Sequence, residues 1–228
     1  NLLRAPRRTV LTALGVAAAI TALVAVLGML DSFTRAIDRG AAEVTKGDPE
    51  RVTVALDTFY SVASPEVTAI VGAASVGTAD PTLRLPASMR TTGQEPIDVM
   101  LEVLDFGTAQ WTPTIVSAVD GGPTEGLVVA RKAAADLGVS PGNTLLLRHP
   151  RADAAGFSMV ETEMLVAAVH PNPMRTFAFL DARFADGFGL GGITNGLQTT
   201  PVEGARRDDI QREVFDLDGV ASAQRVAR

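Results

Sequence analysis

"RRTVLTALGVAAAITALVAVLGMLDSF", residues 7–33, carries no charge between Arg8 and Asp31. From Val10 to Leu30 it is a run of 21 residues whose only polar side chains are Thr12 and Thr21. At about 1.5 Å rise per residue, a helix of that length crosses a hydrocarbon core of about 30 Å. A secretory signal has the same basic start, but its apolar run is about 7–15 residues and closes on a small-x-small cleavage site. Here the run ends Gly28-Met29-Leu30-Asp31-Ser32-Phe33, which offers none. A buried core helix would show a polar face, and this segment has none. It therefore reads as a membrane-spanning helix.

Arg4, Arg7 and Arg8 precede the run, and Asp31, Arg35, Asp38 and Arg39 follow it. The excess of arginine on the first side predicts a cytoplasmic N-terminus, with the residues after about 31 extracytoplasmic. Gly15, Ala18, Ala22 and Ala25 recur at three and four residues, a stripe along which a second helix could approach closely. An alanine-rich composition accounts for the same stripe equally well. Leu30, Phe33, Ile37, Ala41 and Val44 then carry an apolar stripe past the membrane edge at helical spacing. The helix is expected to continue as a stalk, packed on a partner or docked on its own domain.

The charge balance changes beyond the span. Residues 1–30 hold three arginines and no acid, so the remainder carries 17 basic against 26 acidic residues, a formal balance of −9. Such a surface repels polyanions, and nucleic acid is excluded as a partner. There is no cysteine, which removes disulfides, thiolate metal sites and cysteine nucleophiles.

After the breaker Lys46-Gly47-Asp48-Pro49 the pattern becomes short strands and helices. "RVTVALD" (51–57) alternates as a strand. "SPEVTAIVGA" starts a helix with Ser64 as N-cap and Pro65 at the first helical position. Strand-like stretches follow at Ser75–Gly77, Thr82–Leu85 and Ile97–Leu104, with an irregular segment around Trp111. After Gly121-Gly122-Pro123, "GLVVARKAAADLGVSPGNTLLL" reads as strand, helix, turn and strand. "ETEMLVAAVH" is a strand, "TFAFLDARFADGFGL" passes from strand into a helix capped by Asp181, and the chain closes with helix, turn and strand. The fold class is α+β: one transmembrane helix and stalk, then a mixed extracytoplasmic domain of two subdomains. The expected division is 1–45 for helix and stalk, 46–122 with 195–228 for a membrane-proximal subdomain, and 123–194 for an inserted, strand-rich distal one.

Catalytic signals are weak. His149 and His170 are the only histidines, each followed by Pro, and read as surface or loop residues, since a zinc site would need a third ligand. Glu161 and Glu163 share a strand face and read as a solvated edge. "GFGLGG" (187–192) satisfies a G-x-G-x-x-G pattern but follows a helix instead of a strand, so it reads as a connection between subdomains. Trp111, Tyr60 and the dispersed Phe residues define no pocket. No catalytic, cofactor or metal residue is assigned, and the chain is expected not to be an enzyme.

Several segments together resemble a known family. "NLLRAPRRTVLTALGVAAAI" is similar to the opening of the first membrane helix in FtsX-like permeases of ABC transporters, the MacB and LolC/LolE group. Asn1, Arg4, Arg8, Thr9, Leu11, Thr12, Leu14 and Gly15 fit its pattern. "GLVVARKAAADLGVSPGNTLLLRHP" and "VETEMLVAAVHPNP" resemble the family's MacB-like periplasmic core domain, with Gly142-Asn143 where Gly-Asp is usual. "REVFDLDGVASAQRV" resembles its last helix and strand before the second membrane helix. The resemblance implies four membrane helices in a bacterial plasma membrane, of which this chain would be the front portion. It also implies a cytoplasmic ABC ATPase that binds the ATP, a second permease copy or paralogue, membrane lipid around the helices, and an extracytoplasmic adaptor among the partners. The implied activity is mechanotransmission, in which ATP-driven movement reaches the outer domain for transport of a substrate. The residues alone also fit a single-pass anchored adaptor or binding protein.

Overall fold

A computed structural model describes residues 6–44, 50–154 and 156–226. The breaker at 46–49 and the residues Asn1 and Arg4 lie outside it. The chain falls into two compact units, residues 1–40 and residues 41–228.

Helix α1, Pro6–Val44, is continuous through the apolar run and onward. Val10–Arg35 is long and apolar enough to cross a membrane, with a mean hydropathy of 2.5 and none of it buried within the protein. The uncharged run supplies that length, and Asp31 and Arg35 pair at 2.6 Å one turn apart where it ends.

The second unit is a mixed helix and sheet domain. Its elements are β1 (Val52–Ser61), α2 (Pro65–Val71), β2 (Val76–Arg90), β3 (Ile97–Leu104), β4 (Ser117–Ala118), β5 (Leu127–Ala130), α3 (Arg131–Leu137), β6 (Thr144–Asp153), β7 (Gly156–His170), β8 (Phe177–Asp181), β9 (Ile193–Pro201), α4 (Arg207–Phe215) and β10 (Val220–Arg225). The local signals work as the sequence predicts at several ends. The Ser64 hydroxyl accepts from Val67 N at the start of α2, and Gly138 closes α3 in the left-handed conformation. After β8, however, the chain forms two short 3-10 turns, Ala182–Phe184 and Asp186–Phe188, in place of the expected helix; Asp181 still caps the first.

Six strands close on themselves. β2 pairs with β3, β3 with β8, β8 with β5, β5 with β7, β7 with β6, and β6 returns to β2 through Ser88–Arg148 and its neighbours. The ring is a small mixed barrel without free edges. Its interior is filled by alternate residues of each strand, among them Leu85, Met89, Leu101, Leu127, Leu147 and Leu180, all essentially inaccessible to solvent. Ala133, Ala134 and Leu137 of α3 join that core, as do Phe188 and Leu190 after the 3-10 turns.

The second cluster belongs to a four-stranded sheet, β10-β1-β9-β2, covered by α2 and α4. Val52, Val54, Ile70, Leu197, Ile210 and Val214 form its centre. The two sheets share β2, whose first half pairs with β9 and whose second half enters the barrel. Asn195 pins the crossover: its side chain accepts from Arg84 N and donates to Arg84 O, both at 2.8 Å, imitating a strand partner where β9 departs.

This sharing moves the division expected at Gly121. The core clusters separate within β2, between Thr82 and Leu83, so Leu83–Met89 and β3 pack in the barrel with residues 123–190 and not with the smaller sheet. The reason is that β2 is one strand of 15 residues where the sequence reads as two short stretches. A single long strand can serve two cores because each half alternates against its own neighbours.

Candidate functional site

Gly15, Ala18, Ala22 and Ala25 all lie on α1 and are exposed. Leu30, Phe33 and Ile37 follow on the same helix, 57%, 64% and 55% exposed. The backbone of Ala41 and Val44 is helical, and their side chains lie outside the described residues. An uninterrupted exposed apolar surface of this length is what a helix shows when its solvent is lipid or another helix.

The soluble unit carries a site that the sequence did not disclose. β1, β9, β2, β3 and β8 turn their second face, away from the two cores, onto a cavity of about 740 Å³. That size suits a small organic molecule. Strand alternation builds the floor: Val52 and Val54 point into the core, so Arg51 and Thr53 point the other way. By the same rule Arg84 faces the cavity between Leu83 and Leu85, Asp98, Met100 and Glu102 face it between Ile97 and Val103, and Phe177 and Phe179 face it beside Ala178.

One wall is the segment between β3 and β4, which has no regular structure of its own and is held by side chains. The Asp105 carboxylate accepts from Gly107 N and Thr108 N, which holds it below the usual carboxylate range. Asp80 accepts from Gln110 N at 2.6 Å, and Asp181 from Phe106 N at 3.3 Å. These bonds set Trp111 against Phe179, ring centroids 5.6 Å apart, and under the Arg51 guanidinium at 5.2 Å. Glu43 completes the wall: its carboxylate accepts from Thr114 N, and its backbone carbonyl accepts from Trp111 Nε1 at 3.2 Å. Trp111 thus does line a pocket, together with Phe177 and Phe179; the expectation that the aromatic residues define none is overturned, because they meet only through the sheet.

Charge at the cavity is partly compensated. Arg84 and Glu102 pair at 3.2 Å, with the Glu102 side chain nearly buried. His170 lines the cavity from the end of β7 and packs edge-on to Phe179, centroids 5.1 Å apart. Its Nε2–H donates to Phe177 O at 3.2 Å, and its Nδ1 is buried without a hydrogen-bond partner among the described residues. In this tautomer Nδ1 is an acceptor.

Both histidines are buried, not surface or loop groups as the sequence suggests. They occupy inward or covered positions of long strands, where a neutral imidazole is accommodated by one or two hydrogen bonds. His149 Nδ1–H donates to Pro150 O, its Nε2 accepts from Thr162 Oγ1 at 2.9 Å, and its ring stacks on Phe188 at 3.7 Å. Burial lowers the pKa of each. The folded state therefore binds a proton less readily than the unfolded chain. Its stability is full above the ordinary histidine value of about 6.5 and is lost as pH falls from there toward the folded pKa. The unfolding midpoint of the soluble unit is expected to drop between about pH 7 and pH 5, where few carboxylates titrate. A flat midpoint over that range contradicts this linkage.

The remaining sequence candidates have structural explanations. Glu161 takes both nitrogens of the Arg90 guanidinium, at 3.0 and 2.8 Å, and Glu163 accepts from Thr144 Oγ1 at 2.7 Å. They are cross-strand ties of the exposed hairpin face. In "GFGLGG", Gly189 and Gly192 adopt positive φ, 69° and 67°, in the passage from the 3-10 turns to β9. The glycines serve backbone geometry. Among the described residues no group of three or more His, Cys, Asp or Glu is placed to hold a metal ion.

The fold is that of the extracytoplasmic domains of MacB-type ABC-transporter permeases. The periplasmic region of MacB from Actinobacillus actinomycetemcomitans matches with a TM-score of 0.51 at 8% identity, over 82% of this chain and 94% of that one. The extracellular domain of the noncanonic ABC-type transporter YknZ from Gram-positive bacteria matches with a TM-score of 0.47 at 10% identity, over 76% and 98% respectively. At this identity the shared property is the fold. No protein-family model matches the sequence, and no curated protein matches it.

Proposed function

We propose that this chain is part of a permease subunit of an ABC transporter of the MacB, LolC and FtsX type. The observation that carries the reading is the union, in one chain, of a membrane-length apolar helix with a domain of the MacB periplasmic fold. In this reading a cytoplasmic ABC ATPase binds and hydrolyses ATP, and this chain does no chemistry of its own. The face formed by Gly15, Ala18, Ala22 and Ala25 packs on a neighbouring membrane helix of the same subunit, or of a second copy or paralogue. The stripe of Leu30, Phe33, Ile37, Ala41 and Val44 transmits displacement of that bundle to the outer domain, for export or extraction of a substrate. Arg4, Arg7 and Arg8 hold the N-terminus in the cytoplasm of a bacterial cell, and an extracytoplasmic adaptor is a further partner.

The test is copurification. The full-length protein, expressed with the ABC ATPase encoded beside it, is expected to retain that ATPase through detergent extraction and to change its rate of ATP hydrolysis. A protein that retains no ATPase and functions alone is instead a membrane-anchored adaptor.

A further inference from the structure

The cavity beside Trp111 has an uneven charge balance. Three carboxylates line it, those of Glu43, Asp98 and Glu102, against the two guanidinium groups of Arg51 and Arg84. Arg84 is matched to Glu102, and Arg51 is buried over the Trp111 ring. Glu43 is held by Thr114 N, a neutral donor, and neither it nor Asp98 forms an ion pair among the described residues. The one buried side-chain atom of the lining with no partner, His170 Nδ1, is an acceptor as well. The rest of the wall is aromatic and thioether: Trp111, Phe177 and Phe179, with Met100 and Met174 41% and 51% exposed. Such side chains reshape around bulky apolar groups, and ring faces favour cations.

We propose that this cavity is a binding site for a bulky apolar molecule that bears a primary ammonium group. The apolar body lies against Trp111, Phe177 and Phe179, and the carboxylates of Asp98 and Glu43 draw the ammonium. An anionic ligand of the same shape meets the same walls and the opposite electrostatics. The site lies wholly within the soluble unit, so the proposal stands or falls separately from the partnership with an ATPase.

Trp111 is the only tryptophan of the chain, so its emission reports this cavity alone. The full chain in lipid nanodiscs is titrated with two probes of equal bulk, adamantylammonium and adamantane carboxylate. Saturable change in Trp111 emission is expected with the ammonium probe, at an affinity at least about tenfold above that of the carboxylate, the equivalent of one modest charge interaction. Asp98 is exposed, so Asp98→Asn leaves the fold intact and is expected to reduce the preference severalfold. The proposal is overturned by a carboxylate probe that binds as tightly, by absence of saturable change with either probe, or by an unaltered preference in Asp98→Asn.

Discussion

Leu101→Ala is expected to lower the unfolding free energy of the soluble unit by about 2–5 kcal/mol. Leu101 is fully buried in the barrel interior, on the strand whose neighbours are β2 and β8. Truncation removes the transfer free energy of the lost methyl groups and leaves a void beside Leu85 and Leu180 in the same core. A closed ring of strands resists collapse onto that void, because each strand is pinned on both sides by hydrogen bonds. The effect belongs near the upper part of the range for that reason. Denaturant unfolding followed by Trp111 emission measures it, and a loss below about 1 kcal/mol would show that the barrel relaxes freely.

Gly189→Val is expected to destabilise by a similar amount, about 2–5 kcal/mol, from two additive causes. A valine at φ 69° meets left-handed backbone strain of about 1–2 kcal/mol. A Cβ at that position also overlaps the carbonyl oxygen of Ala152, a backbone atom of β6 that has no rotamer in which to escape. Relief requires that β6 shift, which overpacks the barrel wall by roughly 1–3 kcal/mol. Gly187→Ala is the contrasting variant. Gly187 has ordinary φ and nothing within 4 Å of an added Cβ, so a change within about 0.5 kcal/mol is expected. Equal losses at both positions would mean that the turn as a whole, and not the contact with Ala152, sets the cost.

The same stretch shows how far pattern reading reaches. Its spacing satisfies a dinucleotide signature, and local context alone was enough to set that reading aside, since no strand precedes it. Why Gly189 is glycine is a different question. Its answer is the carbonyl of residue 152, 37 positions away in the chain. Likewise Ser64 announces α2 through a bond to Val67 three residues on, whereas Asn195 gives no local sign that it will replace a strand partner for Arg84.

The histidines repeat the lesson. Both precede prolines, a sequence cue for loops, yet both are buried at strand positions. His149 is held by Thr162 across a hairpin and by Phe188 beyond the 3-10 turns. Trp111 was a lone aromatic in an irregular segment. Its neighbours Arg51, Phe179 and Glu43 come from β1, β8 and the last turn of α1.

By itself the sequence determined the membrane-length helix, its charged boundaries, and most strands and helices of the domain. These follow from contiguous hydrophobicity, period and capping, which act over a few residues. Only the tertiary structure decided the closed barrel, the sharing of β2 between two cores, and the cavity with its uncompensated carboxylates. Each of these depends on which strands become neighbours. That choice is made by burial summed over the whole sheet, so it leaves no mark at any one position.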